Sequence, residues 1–582
     1  MKCRTEIIFN TKVMMEEKMS EKAHVSLITK SISNLTDSME NDPRTKLVDQ
    51  LFSQYDRRDT PGCVIAIIKD GRIIYKRAYG MADLERDVPL TTKSVFELGS
   101  LSKQFVAMSI LLLSESGSLS IDDDIRKYIP EIPSYRRIIT INHLIHHTSG
   151  IRDYYGLMTL SGMPIENHYT EAQIFELITR QKELNFPPGE KYLYSNTGYF
   201  LLGNIVKIIS GKSLQEYADE NIFKPLGMNS TLFNDDFTRV IKNRAIGYFS
   251  KKEGGYGLAN YVSDIVGDGG VMTSVEDLFL WDQNFYYNKL GKGRQEIIKQ
   301  FLTPGALNNG KEIDYAFAIE IETYNGLKTF GHDGGWAGYR SHMIRFPGNF
   351  FSVICLSNLA DFGPTAINKR IADIYLRDKS YINIQKSAKI SMLKAKSNNQ
   401  SELLLKEIEG AYQNKETREI YRLETLNGKV FVNQSSGRIF QLVPINEKRF
   451  KSVGAPVDIQ VIFINSKKSK NKNIYLKVII TEKKPIFFRQ INLFSPSIEK
   501  LNEYSGSYYS KELDVTYILK VKDDQLTYYL KDIKETVVLY PTIKDEFRSD
   551  VTIFNFIRNR KGQVKGLNVE TYRIKKISFF KI

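Results

Sequence analysis

The spacing of apolar residues changes character along the chain, and those changes mark out its parts. Between 45 and 380 the pattern alternates between helix and strand periods. Leu47, Leu51, Phe52 and Tyr55 fall at helical spacing ahead of Pro61. Val64–Lys69 and Arg72–Tyr79 are strand-like runs flanking Asp70-Gly71, a pair that favours a tight hairpin. A block of helices follows. An apolar segment from Val106 to Leu113 runs on to Gly117, and further helices are predicted over 170–183, 197–210 and 213–222. Turns such as Phe186-Pro187-Pro188-Gly189 separate them, and Ser120 to Asp124 reads as a polar cap on a short helix. Gly267-Asp268-Gly269-Gly270 interrupts the chain before a capped helix from Ser274 to Phe285. Strands return at Phe317–Thr323, Lys328–Gly331, His342–Phe346 and Phe351–Ser357. A last helix over 362–377 aligns Ile367, Ile371 and Ile374. The order predicts an α+β domain over 45–380, with one antiparallel sheet built from both ends of the segment and helices on its faces.

Residues 1–44 are polar and weakly helical, an N-terminal extension. Residues 381–404 are rich in Lys, Ser and Asn and read as a linker. Beyond it strand-like runs dominate, among them Lys429–Val432, Ile474–Ile480 and Ile486–Ile491. The pattern then restarts. Gly410, Tyr412, Glu416, Tyr421 and Leu423 recur as Gly506, Tyr508, Glu512, Tyr517 and Leu519, each offset by 96 without a gap. This is a duplicated β-unit, predicted over 405–497 and 498–582. Each copy is expected to close into a small barrel or sandwich that hides its sheet edges.

Composition refines this picture. The 582 residues suggest about three to four domains. With 42% hydrophobic and 12% aromatic residues the chain can bury large cores, which excludes wholesale disorder. The three cysteines, Cys3, Cys63 and Cys355, form no disulfide framework and no paired metal motif. Cys63 and Cys355 sit in strand-like runs and read as buried small hydrophobes. The net charge of +15 is uneven. Residues 381–582 hold 37 Lys and Arg against 21 Asp and Glu, whereas 1–380 hold 45 against 46. A lysine-rich, solvated β-surface accounts for the excess, with Lys467–Lys472 as an exposed turn, and no nucleic-acid partner is expected. The basic start of the chain builds no signal-length apolar run, and no run reaches the ~18 apolar residues of a membrane span. A cytoplasmic protein without a membrane span is the expectation.

The candidate chemistry begins at Gly99-Ser100-Leu101-Ser102-Lys103. At the start of a helix Ser100 and Lys103 share a face, and the free N–H groups of the first turn favour developing negative charge. A desolvated lysine is a fitting base for a serine nucleophile. The spacing alone is not specific, since Ser391/Lys394 and Ser497/Lys500 repeat it. Two further motifs give it context: Tyr194-Ser195-Asn196 before a helix, and His332-Asp333-Gly334 with Gly335 after a strand.

In these motifs, and in Tyr79-Gly80-Met81-Ala82-Asp83, Leu144-Ile145-His146-His147-Thr148-Ser149-Gly150 and Gly189-Glu190-Lys191-Tyr192, residues 45–380 resemble the serine β-lactamase-related hydrolases. These include class C β-lactamases, D-Ala-D-Ala carboxypeptidases, D-aminopeptidases and esterases. The resemblance implies that Ser100 is acylated and that Lys103 and Tyr194 share proton transfer. It implies that Asn196 contacts the acyl side, and that the Ser100 and Gly335 amides form an oxyanion hole beside Gly334. No cofactor and no metal is implied. His332 stands where class C β-lactamases have lysine, as in the peptidase and esterase branches, and is counted with the catalytic set. Asp333 departs from the small hydroxyl residue that often meets a substrate carboxylate. An ester, amide or free amino terminus on a small-molecule or peptide substrate is therefore expected, with β-lactamase activity at most weak. Acyl transfer or cyclisation through the same acyl-enzyme, and a non-catalytic penicillin-binding sensor, are the alternatives. Some relatives carry one or two barrels that cover the cleft or mediate assembly.

Other candidates read as structural. His143 and His147 are four apart but lack the acid of a His-Glu-x-x-His site. Trp281 and Trp336 read as packing residues, with Trp336 also a candidate cleft wall. No Gly-x-Ser-x-Gly elbow occurs.

Overall fold

A computed structural model describes residues 42–377 except 260, and 408–582 except 427–428, 435–438, 447, 454–458, 466–473, 481–484, 531–535 and 550–551. The extension up to residue 41, the 381–404 linker and the Lys467–Lys472 turn lie outside the described residues.

The first domain is built on a six-stranded antiparallel sheet with helices on both faces, beside which lie three small sheets of two or three strands. The strands of the large sheet are β1 (Cys63–Lys69), β2 (Arg72–Tyr79), β3 (Glu320–Tyr324), β4 (Leu327–Trp336), β5 (Tyr339–Phe346) and β6 (Phe351–Ser357), in the order β3-β4-β5-β6-β1-β2. The Asp70-Gly71 hairpin forms as expected, with φ of 50° and 74° at the two turn residues. Around the sheet lie α1 (Pro43–Phe52), α2 (Lys103–Glu115), α3 (Tyr154–Ser161), α4 (Asn196–Ser210), α5 (Val275–Asn284) and α6 (Pro364–Leu376).

Strand β1 is buried along almost its whole length because its two faces serve different cores. Val64, Ala66 and Ile68 pack with the helical body that contains α2 and α5. Cys63, Ile65 and Ile67 pack with Val48 and Phe52 of α1 and Ile371 of α6. A period of two divided between two apolar layers gives a continuous hydrophobic run. Both Cys63 and Cys355 are fully buried.

Several elements depart from expectation. The Ser100 segment starts as a 3₁₀ turn, Gly99–Ser102, before α2 begins at Lys103. Residues three apart eclipse on such a turn, which brings Ser100 and Lys103 closer to one line than an α-turn would. The helix predicted over 213–222 ends at Ala218 and passes into a wider turn, Asp219–Phe223. The strand predicted from Phe317 begins only at Glu320, because Ala318 adopts a φ of 56° and Phe317–Ile319 enter the core as loop. Strand β4 is longer than expected and carries His332–Gly335 within it.

Each copy of the duplicated unit closes into an eight-stranded antiparallel barrel, from Gly410–Asn414 to Ile486–Ile491 and from Gly506–Ser510 to Ile574–Lys581. Their interiors are filled by side chains, as eight strands dictate. The offset of 96 holds in three dimensions. Gly410 pairs with Leu423 and Tyr412 with Tyr421, just as Gly506 pairs with Leu519 and Tyr508 with Tyr517. The hydroxyls of Tyr412 and Tyr508 both donate to the carbonyl four residues earlier.

The second barrel shares its core with the first domain, whereas the first barrel has a core of its own. Arg152, 1% exposed, donates to Glu512 Oε1 (2.7 Å) and to the Lys576 carbonyl (2.9 Å). Tyr517 Oη donates to the Leu160 carbonyl at 2.6 Å. The first barrel joins the second through Arg418, which reaches Glu546, Glu570 and Asn555.

Candidate active site

The site forms where the Gly99–Ser102 turn is pressed against β4. Gly99 has a φ of 53°, and a methyl on its Cα would lie 2.6 Å from the Gly335 nitrogen. A methyl on Gly334 would lie 1.9 Å from the Leu98 carbonyl oxygen. Glycine at both positions is what permits the approach. Ser341 of β5, opposite Gly334, donates to the same Leu98 carbonyl at 2.6 Å and locks the turn in place.

Lys103 is fully buried at the head of α2, a helix whose residues from Lys103 to Leu113 are all buried. Its Nζ lies 3.0 Å from Ser100 Oγ, 2.9 Å from Asn196 Oδ1 and 2.5 Å from the Asp268 carbonyl oxygen. Two of these partners are acceptors only. A neutral amine has two hydrogens, and donating them to Asn196 and Asp268 leaves its lone pair directed at Ser100 Oγ. Burial lowers the Lys103 pKa to about 8, opposed by the Asp268 charge and assisted by Arg573. Asn196 starts α4, where its N–H donates to Asp153 Oδ2 at 2.6 Å.

Tyr194 is held by rings and charges. Its ring packs on His147 at 4.1 Å between centroids, with Lys103 Nζ 5.1 Å from its own centroid. Among the described residues, no group meets its buried hydroxyl at hydrogen-bond geometry. Burial pushes its pKa well above that of an ordinary phenol, while Ser100 and Arg573 pull it down. The group is thus a neutral phenol near neutral pH.

The three motifs come together around a cleft of about 480 Å³, within the range of small-molecule sites. Ser100, Asn196, Asp333, Gly335 and Trp336 line it. Among the described residues the Asp333 carboxylate makes no ion pair and no hydrogen bond, and it is exposed. His332, its neighbour on the strand, is 1% exposed and turns away from the cleft lining. Its Nε2 meets Tyr315 Oη at 3.0 Å. The other histidines also have local partners. His143 closes a capping box with Thr140, and His146 Nδ1 meets the Asn142 carbonyl at 3.1 Å.

Sequence reasoning missed three contributors. Asp268 was visible in its glycine-rich motif but had no role. It supplies a carbonyl to Lys103 and a carboxylate to the Tyr154 hydroxyl, and burial raises its pKa to about 6. Glu97, also on the cleft, is raised by burial to about 7 with Arg244 opposing. Arg573 comes from the tip of the last hairpin of the second barrel. Asn185 grips that tip, donating to the Arg573 carbonyl (2.9 Å) and accepting from the Lys575 N–H (2.7 Å). The guanidinium sits 4.7 Å from the Tyr194 ring centroid and 3.7 Å from Asp153 Oδ2, on the cleft wall. No local pattern marks this residue; only docking of the barrel brings it in.

A serine beside a buried lysine, an overhanging tyrosine and a glycine-lined strand edge, set between a sheet and a helical body, define a serine-hydrolase-type domain. The chain belongs to the beta-lactamase family, whose model matches residues 48–376. It is 33% identical over 329 residues to penicillin-binding protein 4* of Bacillus subtilis (strain 168), covering 54% of this chain and 72% of that one. It is 28% identical over 302 residues to a D-aminopeptidase of Gluconobacter oxydans (strain 621H), covering 51% of this chain and only 56% of that relative. The octameric penicillin-binding protein homologue from Pyrococcus abyssi has a similar fold, with a TM-score of 0.53 and 24% identity over 76% of this chain and 99% of that one.

Proposed function

We propose that the protein is a serine hydrolase that acylates Ser100 with an ester or amide substrate bearing a free amino group. The observation that carries this is the Lys103 amine, held by two obligatory acceptors so that its third contact, at 3.0 Å, is the Ser100 hydroxyl. Lys103 takes the Ser100 proton as the oxygen attacks the substrate carbonyl. The amides of Ser100 and Gly335, brought together by Gly99 and Gly334, receive the oxyanion, an effect of about 3–4 kcal/mol per donor. Tyr194, kept neutral, passes its proton to the departing group and recovers one from Lys103, which holds the proton taken from Ser100. Water then attacks the acyl-enzyme carbonyl, its proton going to the same pair and from there to the departing Ser100 Oγ, which frees the acid and restores the serine.

The preference for an amino group rests on Asp333. Its unpaired carboxylate on the cleft wall attracts an ammonium and repels a carboxylate. The Arg573 charge is already directed at Asp153 and the Tyr194 ring. The names of the D-aminopeptidase relatives agree with this reading. Matched D- and L-amino-acid anilides, with the amine free or acetylated and with or without a terminal carboxylate, test it. Faster turnover of the free amines is expected, with none by Ser100→Ala. A clear preference for the terminal acid would overturn the substrate assignment.

A further inference from the structure

Beneath Tyr194 a chain of four hydrogen bonds crosses from the tyrosine loop to β4. The Ser195 N–H donates to His147 Nδ1 at 3.1 Å. His147 Nε2 meets Tyr315 Oη at 3.1 Å, Tyr315 Oη meets His332 Nε2 at 3.0 Å, and His332 Nδ1 meets the Asp333 carbonyl oxygen at 2.5 Å. Both ends fix its direction independently. A backbone N–H only donates, so His147 Nδ1 accepts and its proton is on Nε2. A carbonyl only accepts, so His332 carries its proton on Nδ1 and accepts at Nε2. Tyr315 must then receive from His147 and donate to His332. The two deductions meet at Tyr315 without conflict.

We propose that His147, Tyr315 and His332 form one hydrogen-bonded strut that holds Tyr194 in register with the Gly335 amide, so that His332 is a positioning residue and not a proton carrier. The proposal rests on the acyl-enzyme reading above. The strut joins the residue after Tyr194 to the strand that carries Gly335, and its first ring packs directly on Tyr194. It works only with both imidazoles neutral. A proton on His332 Nε2 would leave the buried Tyr315 hydroxyl hydrogen without an acceptor. A proton on His147 Nδ1 would oppose the Ser195 N–H. Burial lowers both imidazole pKa values in the same sense. The charges facing His332 are Asp333, which favours its protonation, and Lys103, which opposes it, with His342 nearby on β5. Those facing His147 are Lys103, His332, Arg573 and His146, all opposing.

The test combines ¹⁵N-histidine NMR of the full chain with hydrolysis across pH for Tyr315→Phe and His332→Gln, each checked for fluorophosphonate labelling of Ser100. The spectra should show neutral His147 protonated only on Nε2 and neutral His332 only on Nδ1, both titrating at lower pH than a free imidazole. Tyr315→Phe should lower kcat about tenfold or more and make the acid limb steeper below the Lys103 step, with this second fall setting in at higher pH than in the wild type, because His332 loses the donor that disfavours its protonation. His332→Gln, with no titrating group, should keep Ser100 labelling and measurable turnover and lose that part of the acid limb. The opposite tautomers, or a Tyr315→Phe enzyme with the wild-type rate and pH profile, would overturn the strut. So would a folded His332→Gln enzyme as inactive as Lys103→Met. If His332→Gln does not fold, Tyr315→Phe, which removes one oxygen, decides the matter. Absence of labelling in the wild type would instead refute the acyl-enzyme reading.

Discussion

Lys103 shows how much chemistry one buried amine can acquire from its neighbours. In water it would be protonated and useless as a base at neutral pH. Taken out of water, with a pKa of about 8, a useful fraction is neutral, and Asn196 and Asp268 orient what remains. The base form is the deprotonated one, so kcat/KM should rise with pH through about 8 and then level off. Lys103→Met should remove that limb and cost about 10²–10⁴ in rate. A rate that falls as pH rises through this range would contradict the assignment. Ser100, Lys103, Tyr194, Asn196 and the glycines were legible because each belongs to a short motif. Asp268 was legible as a motif member and not as a partner, since its hydrogen bond to Lys103 is accepted by a backbone carbonyl, which any residue could supply, and its charge reaches Lys103 only through the fold.

At the scale of elements, the site depends on how closely β4 approaches the Gly99–Ser102 turn. The hairpin, the helices and the sheet edges could be read from period and turn chemistry. The 3₁₀ turn could not, because glycine and serine are compatible with either helix type. Nor could the extension of β4 through His332–Gly335, since two glycines in a row argue locally against a strand. The alternation that places Asp333 on the cleft and His332 behind it follows only from that extension. The approach makes a direct prediction. In Gly334→Ala the added methyl meets the Leu98 carbonyl and Ser341 Oγ at 1.9 and 2.5 Å, so the strand must shift away from Ser100. A loss of about 10²–10³ in kcat is expected, the scale of a lost oxyanion donor. Gly348→Ala, with nothing within 4 Å, should be neutral in the same assay.

Across the whole molecule, the two copies of the duplicated unit are joined differently: the second packs into the core of the first domain, and the first has its own core and meets the second through Arg418. The offset of 96 was legible because tyrosines and glycines at turns and barrel starts are constrained alike in both copies. What each copy does was not. Position 416 is exposed, whereas its counterpart Glu512 is buried against Arg152. Tyr421 bonds within its own barrel, whereas its counterpart Tyr517 bonds to Leu160 of the first domain. Docking of the second copy delivers Arg573 to the cleft, from outside the family match at 48–376. Arg573 lowers the pKa of Lys103, so Arg573→Met should move the rising limb of kcat/KM to higher pH. An unmoved limb would mean that the barrel contributes no charge to the reaction.

If Ser100 carries the acyl group during turnover, the covalent intermediate has a mass that can be read. Intact-mass and peptide mass spectrometry of enzyme quenched during hydrolysis of a slow ester measures this directly. A mass increase equal to the acyl group is expected on the peptide containing Ser100, decaying as product forms and absent from Ser100→Ala. Turnover without any adduct on that peptide, or an equal adduct in Ser100→Ala, would contradict acylation at Ser100.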